Sequence, residues 1–223
     1  MTTATQPREL VRYIAKRLAD LSDCEAEIEN KLWNTNQSLI EGIDPDDDDE
    51  RLAASSAIHE NEKQVARTFR YMMLIGACSF VEEAVKQISQ MVIADYDEQI
   101  GGRPRHEGEV RKHIVILTEG GLVDEGSLQP QLDSIYRFVD LRNSIVHAWG
   151  RIEGTRNPQR LRDGIAALIT SNSGMKIVET KDGFLYLNDQ VIPSAIVASE
   201  EFIDLLTNSC FSISLTMQQA VAG

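Results

Sequence analysis

Cysteine, long apolar runs and basic charge are all scarce in this 223-residue chain. Its three cysteines, Cys24, Cys78 and Cys210, are odd in number, far apart and form no CxxC pair. That argues against a disulfide framework and against a zinc site, and each is expected to be a small buried apolar side chain. The longest apolar run, YMMLIGACSFV from Tyr71 to Val81, is too short to span a bilayer and is followed by Glu82 and Glu83. The first residues, MTTATQPRELVRYIAKRL, lack the apolar core of a signal peptide. Lysine and arginine number 22 against 35 acids, a formal net charge of −13. An acidic chain of this kind excludes a broad surface that coats nucleic acid, but leaves room for a local basic site. These absences predict a soluble, cytoplasmic protein with no membrane partner.

The sequence also has no phosphate-cradling glycine loop of the P-loop type, no dinucleotide fingerprint and no serine elbow. No cofactor is expected. His106 and His113 lie seven apart with Glu109 between them, but the neighbouring Gly108 and many charges favour a solvated face over a metal site. No internal repeat and no long linker divides the chain, which predicts one domain over 1–223.

What is present is helical spacing. With 42% hydrophobic residues the chain can bury a core. Leu10, Tyr13, Ile14 and Leu18 form one stripe, continued by Ile28, Leu32 and Leu39. The acidic run GIDPDDDDERL, Gly42 to Leu52, reads as a solvated loop because like charges at this density repel; the N-terminal helices and this loop fill 1–50. From Ser56 to Tyr96 the pattern predicts one long helix or two in line. A loop around Gly101–Gly108, a helix over Glu109–Glu119, the loop EGGLVDEG and a helix from Pro130 to Ala148 complete a bundle core over 56–150. The remainder, 151–223, is read as an arginine-rich loop, a short β-meander with turns at Asp182-Gly183 and Asn188-Asp189, and an amphipathic helix from Ser199. The expected fold is mainly α: an up-and-down helical bundle, then a small C-terminal β-meander and a final helix.

One stretch stands out, YRFVDLRNSIVHAWG from Tyr136 to Gly150. On a wheel of about 100° per residue, Ile135, Val139 and Val146 flank Arg142 on one side. Phe138, Ile145 and Trp149 flank it on the other, while Asp133, Arg137, Asp140, Ser144 and His147 line a polar stripe. This places Arg142 near the centre of the apolar arc. A buried unpaired guanidinium is costly, so a partner is required. Glu82 is the first candidate and Glu83 the second, and a plain structural salt bridge would explain both.

The segment RNSIVH resembles the signature of HEPN domains (higher eukaryotes and prokaryotes nucleotide-binding): an arginine, four to six residues, then a histidine, often with a polar residue directly after the arginine. Arg142, Asn143 and His147 match it. An all-helical start, the motif late in a helix, a preceding long helix with Glu82 in an apolar setting, and small β elements after the motif match the family's context. The resemblance implies metal-independent cleavage of single-stranded RNA, in which the ribose 2′-hydroxyl attacks the adjacent phosphate. His147 would then act as general base or acid, Arg142 as phosphate clamp, Asn143 as orienting residue and Glu82 as support. It also implies a homodimer, since family members place two copies of the motif face to face. That would resolve a mismatch here, because Arg142 and His147 lie about 140° apart on one helix.

Between Arg137 and Arg162 the chain has six arginines and two acids, Asp140 and Glu153. Arg151, Arg156, Arg160 and Arg162 either steer RNA toward the motif or form a solvated loop paired with the acidic surface. Trp149 stands where HEPN toxins silenced by a nucleotidyltransferase antitoxin carry a modified tyrosine, and is read as core or as a platform for a base. The expected role is a bacterial toxin or antiviral defence effector, with an antitoxin or regulatory protein as a further partner. The alternative is a non-catalytic HEPN-like module that binds nucleotide, RNA or protein.

Overall fold

The computed structural model of the chain describes residues 6–44, 46–93, 96–102 and 108–222; the side chains of 6–8, 11 and 213–222 lie outside that description. The fold is mainly α, a helical bundle in class, with a small antiparallel pair of strands ahead of the final helix. In order the elements are α1 (Gln6–Glu41), α2 (Asp48–Glu60), a π-helical turn (Asn61–Ala66), α3 (Arg67–Val92), α4 (Tyr96–Gly101), α5 (Glu109–Glu119), α6 (Glu125–Ala148), α7 (Pro158–Ser171), β1 (Ile177–Glu179), β2 (Leu185–Leu187) and α8 (Val191–Ala222). No helix among the described residues is long and apolar enough to cross a membrane.

The chain forms two compact units whose boundaries fall inside α1, α3, α6 and α8. The first comprises Met1–Ala19, Ala77–Tyr136 and Ile196–Gly223. Its core is mostly aliphatic. The i, i+4, i+8 series Leu10, Ile14, Leu18 on α1 and the i, i+3, i+4, i+7 series Val81, Ala84, Val85, Ile88 on α3 are buried, as are Ile114 and Leu117 on α5 and Phe202 and Leu206 on α8. His113 of α5 is buried in this unit rather than solvated, stacked on Tyr96 with ring centroids 5.7 Å apart. Burial pushes its imidazole below the usual histidine range, outweighing the carboxylate of Glu109. His106 lies outside the described residues.

The second unit comprises Asp20–Gly76 and Arg137–Ala195. Its centre is unlike the first, because an arginine sits in it. Arg70, on the first turn of α3, is only 4% exposed. Its Nε and Nη2 donate to both oxygens of Glu29 on α1, each at 2.7 Å, and its Nη1 donates to the Leu187 carbonyl of β2 at 3.0 Å. Nη1 also lies 3.5 Å from Glu62, which the π-helical turn presents, and the guanidinium carbon sits 5.9 Å from the Tyr186 ring centroid. Glu25, one turn before Glu29, is also buried, and its carboxyl is pushed up to about 7. Burial is the main cause, helped by the Glu29 and Asp189 carboxylates and opposed by Arg70.

Several boundaries differ from the sequence expectation, each for a local reason. Half of the acidic run is helix: Asp47 caps α2 by accepting from the Asp49 and Glu50 amides, and Asp48, Asp49 and Glu50 occupy the first turn, where the helix dipole favours negative charge. Helix α6 starts at Glu125, five residues before Pro130, because Asp124 accepts from the Gly126 amide and the Ser127 hydroxyl. The second half of the expected arginine-rich loop is α7, capped by Asn157 with Pro158 as its first residue and Leu161, Ile165 and Leu168 buried. The β-meander is a two-stranded hairpin, Ile177 opposite Leu187 and Glu179 opposite Leu185, turning through Gly183 at φ +80. Among the described residues no third strand follows Asn188-Asp189; α8 begins at Val191 instead, eight residues before Ser199. Cys78 and Cys210 are buried as expected, but Cys24 is exposed.

Candidate functional site

The RNSIVH segment occupies the last two turns of α6 in the second unit. The buried face of this part of the helix is formed by Phe138, Leu141, Ser144, Ile145 and Ala148. Ser144 joins it because its hydroxyl donates to the Leu141 carbonyl at 2.7 Å, which removes the cost of burying it. Including Ser144 rotates the buried arc away from Val139 and Val146, the latter 44% exposed. Arg142 is therefore half-buried at the margin of the arc, not at its centre. The buried arginine of this unit is Arg70, and its partner is Glu29.

Asn143 turns its side-chain oxygen to Arg142, accepting from Nη1 at 2.9 Å. It thus steadies the guanidinium rather than the imidazole. His147 is exposed one residue before α6 ends at Ala148. Since the helix continues past His147, the separation of about 140° between the Arg142 and His147 directions persists. Glu82 is half-buried on the part of α3 that belongs to the first unit, whereas Arg142 belongs to the second. Among the described residues, no group of three His, Cys, Asp or Glu side chains is placed to hold a metal ion.

The helix ends through two consecutive left-handed residues, Trp149 at φ 55 and Gly150 at φ 74. The Gly150 amide donates back to the Ser144 carbonyl at 3.0 Å, and the Gly150 carbonyl accepts from the Leu185 amide of β2 at 2.8 Å. The Tyr71 hydroxyl donates to the Leu185 carbonyl at 2.6 Å. Burial pushes this phenol up to about 12, so it stays a donor. Glycine is required at 150, because a Cβ there would overlap the Tyr71 hydroxyl and lie 2.6 Å from its Cζ. Trp149 is 80% exposed, which rules out the core role considered for it.

Of the four arginines after the motif, two are engaged by acids. Arg160 Nε lies 2.9 Å from Asp140, and Arg162 pairs with Glu153 and, at 3.7 Å, with Glu179. Arg156 is exposed in the loop before α7. Arg151 bridges backbone to backbone with Phe184 and lays its guanidinium over the Phe184 ring, 4.5 Å from the centroid. Arg67 of α3 approaches the same ring at 4.8 Å. Arg67 and Phe184 were not foreseen from the sequence; the available signal was that Arg67 stands one turn before Tyr71, on the same face of α3.

Comparison with protein-family models, curated proteins and solved structures found no match for this chain.

Proposed function

We propose that the protein is a metal-independent endoribonuclease of the HEPN type that cleaves single-stranded RNA, acting as a toxin or defence effector. The observation that carries this reading is the state of the motif at the end of α6: an exposed His147 imidazole and, on another face of the same helix, a half-buried Arg142 guanidinium steadied by Asn143. In the proposed reaction the 2′-hydroxyl gives its proton to His147 as its oxygen attacks the adjacent phosphorus. The P–O5′ bond breaks, leaving a cyclic phosphate, and the departing 5′-oxygen takes a proton from a second histidine. Arg142 offers its planar fork to the phosphate oxygens as charge accumulates on them. The angular separation within one helix and the need for a second proton donor both favour a homodimer in which the partner supplies the facing motif.

The test is cleavage of a labelled single-stranded RNA by purified protein in chelator. The expected products carry a cyclic phosphate and a free 5′-hydroxyl, DNA is resistant for want of a 2′-hydroxyl, and His147→Ala is inactive. Loss of cleavage in chelator, or equal cleavage of DNA, overturns the mechanism. Binding of RNA without any cleavage would favour a non-catalytic module.

A further inference from the structure

Several basic residues in the second unit are neutralised where they stand: Arg70 by Glu29, Lys63 by Asp182, Arg160 by Asp140 and Arg162 by Glu153. Arg67 and Arg151 differ. Both direct their guanidinium at the Phe184 ring, at 4.8 and 4.5 Å from its centroid, so the two cations lie within about 9 Å of each other. Among the described residues no carboxylate pairs with either. A ring face attracts a cation by only about 0.5–1 kcal/mol at an exposed site. Two like charges about 9 Å apart repel by roughly 0.5 to 2 kcal/mol, depending on the local dielectric. The ring therefore does little more than offset the repulsion. An anion reached by both forks at the edge of the ring would turn the repulsion into attraction, and phosphate is one that the planar guanidinium matches.

The same turn presents an aromatic surface. Trp149 lies two residues before Arg151 and is 80% exposed. It is held in the left-handed region, which costs a non-glycine residue roughly 1–2 kcal/mol. Its indole gains little from packing to repay that strain. The turn is rigid because the residues after the indole are tied down: the Gly150 carbonyl accepts from the Leu185 amide of β2, and Arg151 bridges to Phe184, the residue before β2. Strain kept at an exposed aromatic by a rigid surround is the kind of outlier that points to a ligand.

We propose that Arg67, Arg151 and Phe184 form a phosphate-binding floor for single-stranded RNA, and that Trp149 stacks a base beside it. Phe184 acts as a positioning residue that holds both guanidinium groups at one place. The strand would then cross the end of α6 close to His147. The ligand class rests on the proposed function; the site itself rests on the geometry of the two guanidinium groups and the strained indole.

The experiment measures binding of a labelled oligouridine of about 12 nucleotides, within the usual span of a single-strand site. The full chain is used with His147→Ala as background, so that cleavage does not intervene. Affinity is followed against salt. Each arginine removed should lower the slope of log K against log salt by about 0.7, so Arg67→Gln with Arg151→Gln should lower it by about 1.4. Trp149→Gly should weaken binding roughly fivefold or more. Arg160→Gln, a charge loss at a residue already held by Asp140, should leave the slope unchanged. If Arg67→Gln unfolds the protein, the exposed Arg151→Gln carries the test alone. The proposal is overturned if no oligouridine binds, if the double variant keeps the parental slope, or if Arg160→Gln lowers it equally. RNA bound here but never cut by the parent would sink the nuclease reading and leave this site standing; RNA cut with an unchanged slope would do the reverse.

Discussion

Arg70 and Glu29 form a bidentate ion pair, both bonds 2.7 Å long, inside the second unit, where Arg70 also supports the Leu187 carbonyl of β2. Removing Arg70 leaves the half-buried Glu29 carboxylate and the Leu187 carbonyl without their donor. Arg70→Met should cost about 3–5 kcal/mol, whereas replacing Arg70 and Glu29 together by Met and Leu should recover much of that loss. Denaturant midpoints of the two single variants and the double measure this. A loss below about 1 kcal/mol for Arg70→Met would mean the pair is no more than a surface bridge.

Glu25 should give the protein a stability that falls toward neutral pH. Its carboxyl is raised to about 7 in the fold, mainly by burial, from an ordinary value near 4.5. The folded state therefore binds its proton more tightly than the unfolded chain does. The contribution is fully present below about pH 4.5 and is lost as pH rises through about 7. His113, lowered by burial, works in the opposite sense: its contribution is lost as pH falls below the ordinary histidine range. Chemical denaturation from about pH 5 to 8 should show the parent losing stability relative to Glu25→Gln as pH rises; parallel curves would refute the buried carboxyl.

Trp149→Gly should stabilise the protein while weakening RNA binding. Glycine relieves the left-handed strain, about 1–2 kcal/mol, and gives back about 0.5–1 kcal/mol through the freedom it adds to the unfolded chain. The exposed indole loses little packing. A net gain of about 0.5–1 kcal/mol is expected, read as a higher melting temperature. A variant that is less stable than the parent would show that the indole packs after all.

Gly150→Ala should behave oppositely to its neighbour. It adds left-handed strain and drives a methyl group into the Tyr71 ring, against β2. The expected cost is about 2–4 kcal/mol, strain and overpacking together. Tyr71→Phe should not rescue it, because Cζ also stands too close. Thermal melts of the single and double variants decide the point.

A composite site makes a prediction about mixing. His147→Ala and Arg142→Ala should each abolish RNA cleavage, and mixed, exchanged dimers of the two should regain part of it, because one Arg142 and one His147 then face each other, while the lost second histidine keeps the rate below that of the parent. Light scattering should give about twice the 24.9 kDa chain mass. A monomer at micromolar concentration, or mixtures that stay inactive after subunit exchange, would remove the partner from the mechanism.

Periodicity alone placed α5 to the residue and located the long run of α2, the π-helical turn and α3, because an amphipathic stripe follows from backbone geometry wherever a helix has one apolar side. The hairpin turn was equally legible, since Gly183 supplies the positive φ that an Asp-Gly turn needs. Helix starts were less so: Asp47, Asp124 and Asn157 each cap a helix from within a stretch whose charges or turn formers suggested loop. The sequence also dictated that a buried arginine would need a carboxylate partner, but only the tertiary structure showed Arg70 and Glu29 to be such a pair. A helical wheel fixes angles on its own axis, not which arc a neighbour covers. Once Ser144 satisfies its hydroxyl on the Leu141 carbonyl it can be covered, and the arc turns from Arg142, while α1 brings Glu29 to Arg70 across 41 residues. The meeting of Arg67 with Arg151 at Phe184 was likewise beyond reach of the sequence, for it joins a helix, a turn and a strand whose contact depends on how α3 and β2 pack on the end of α6.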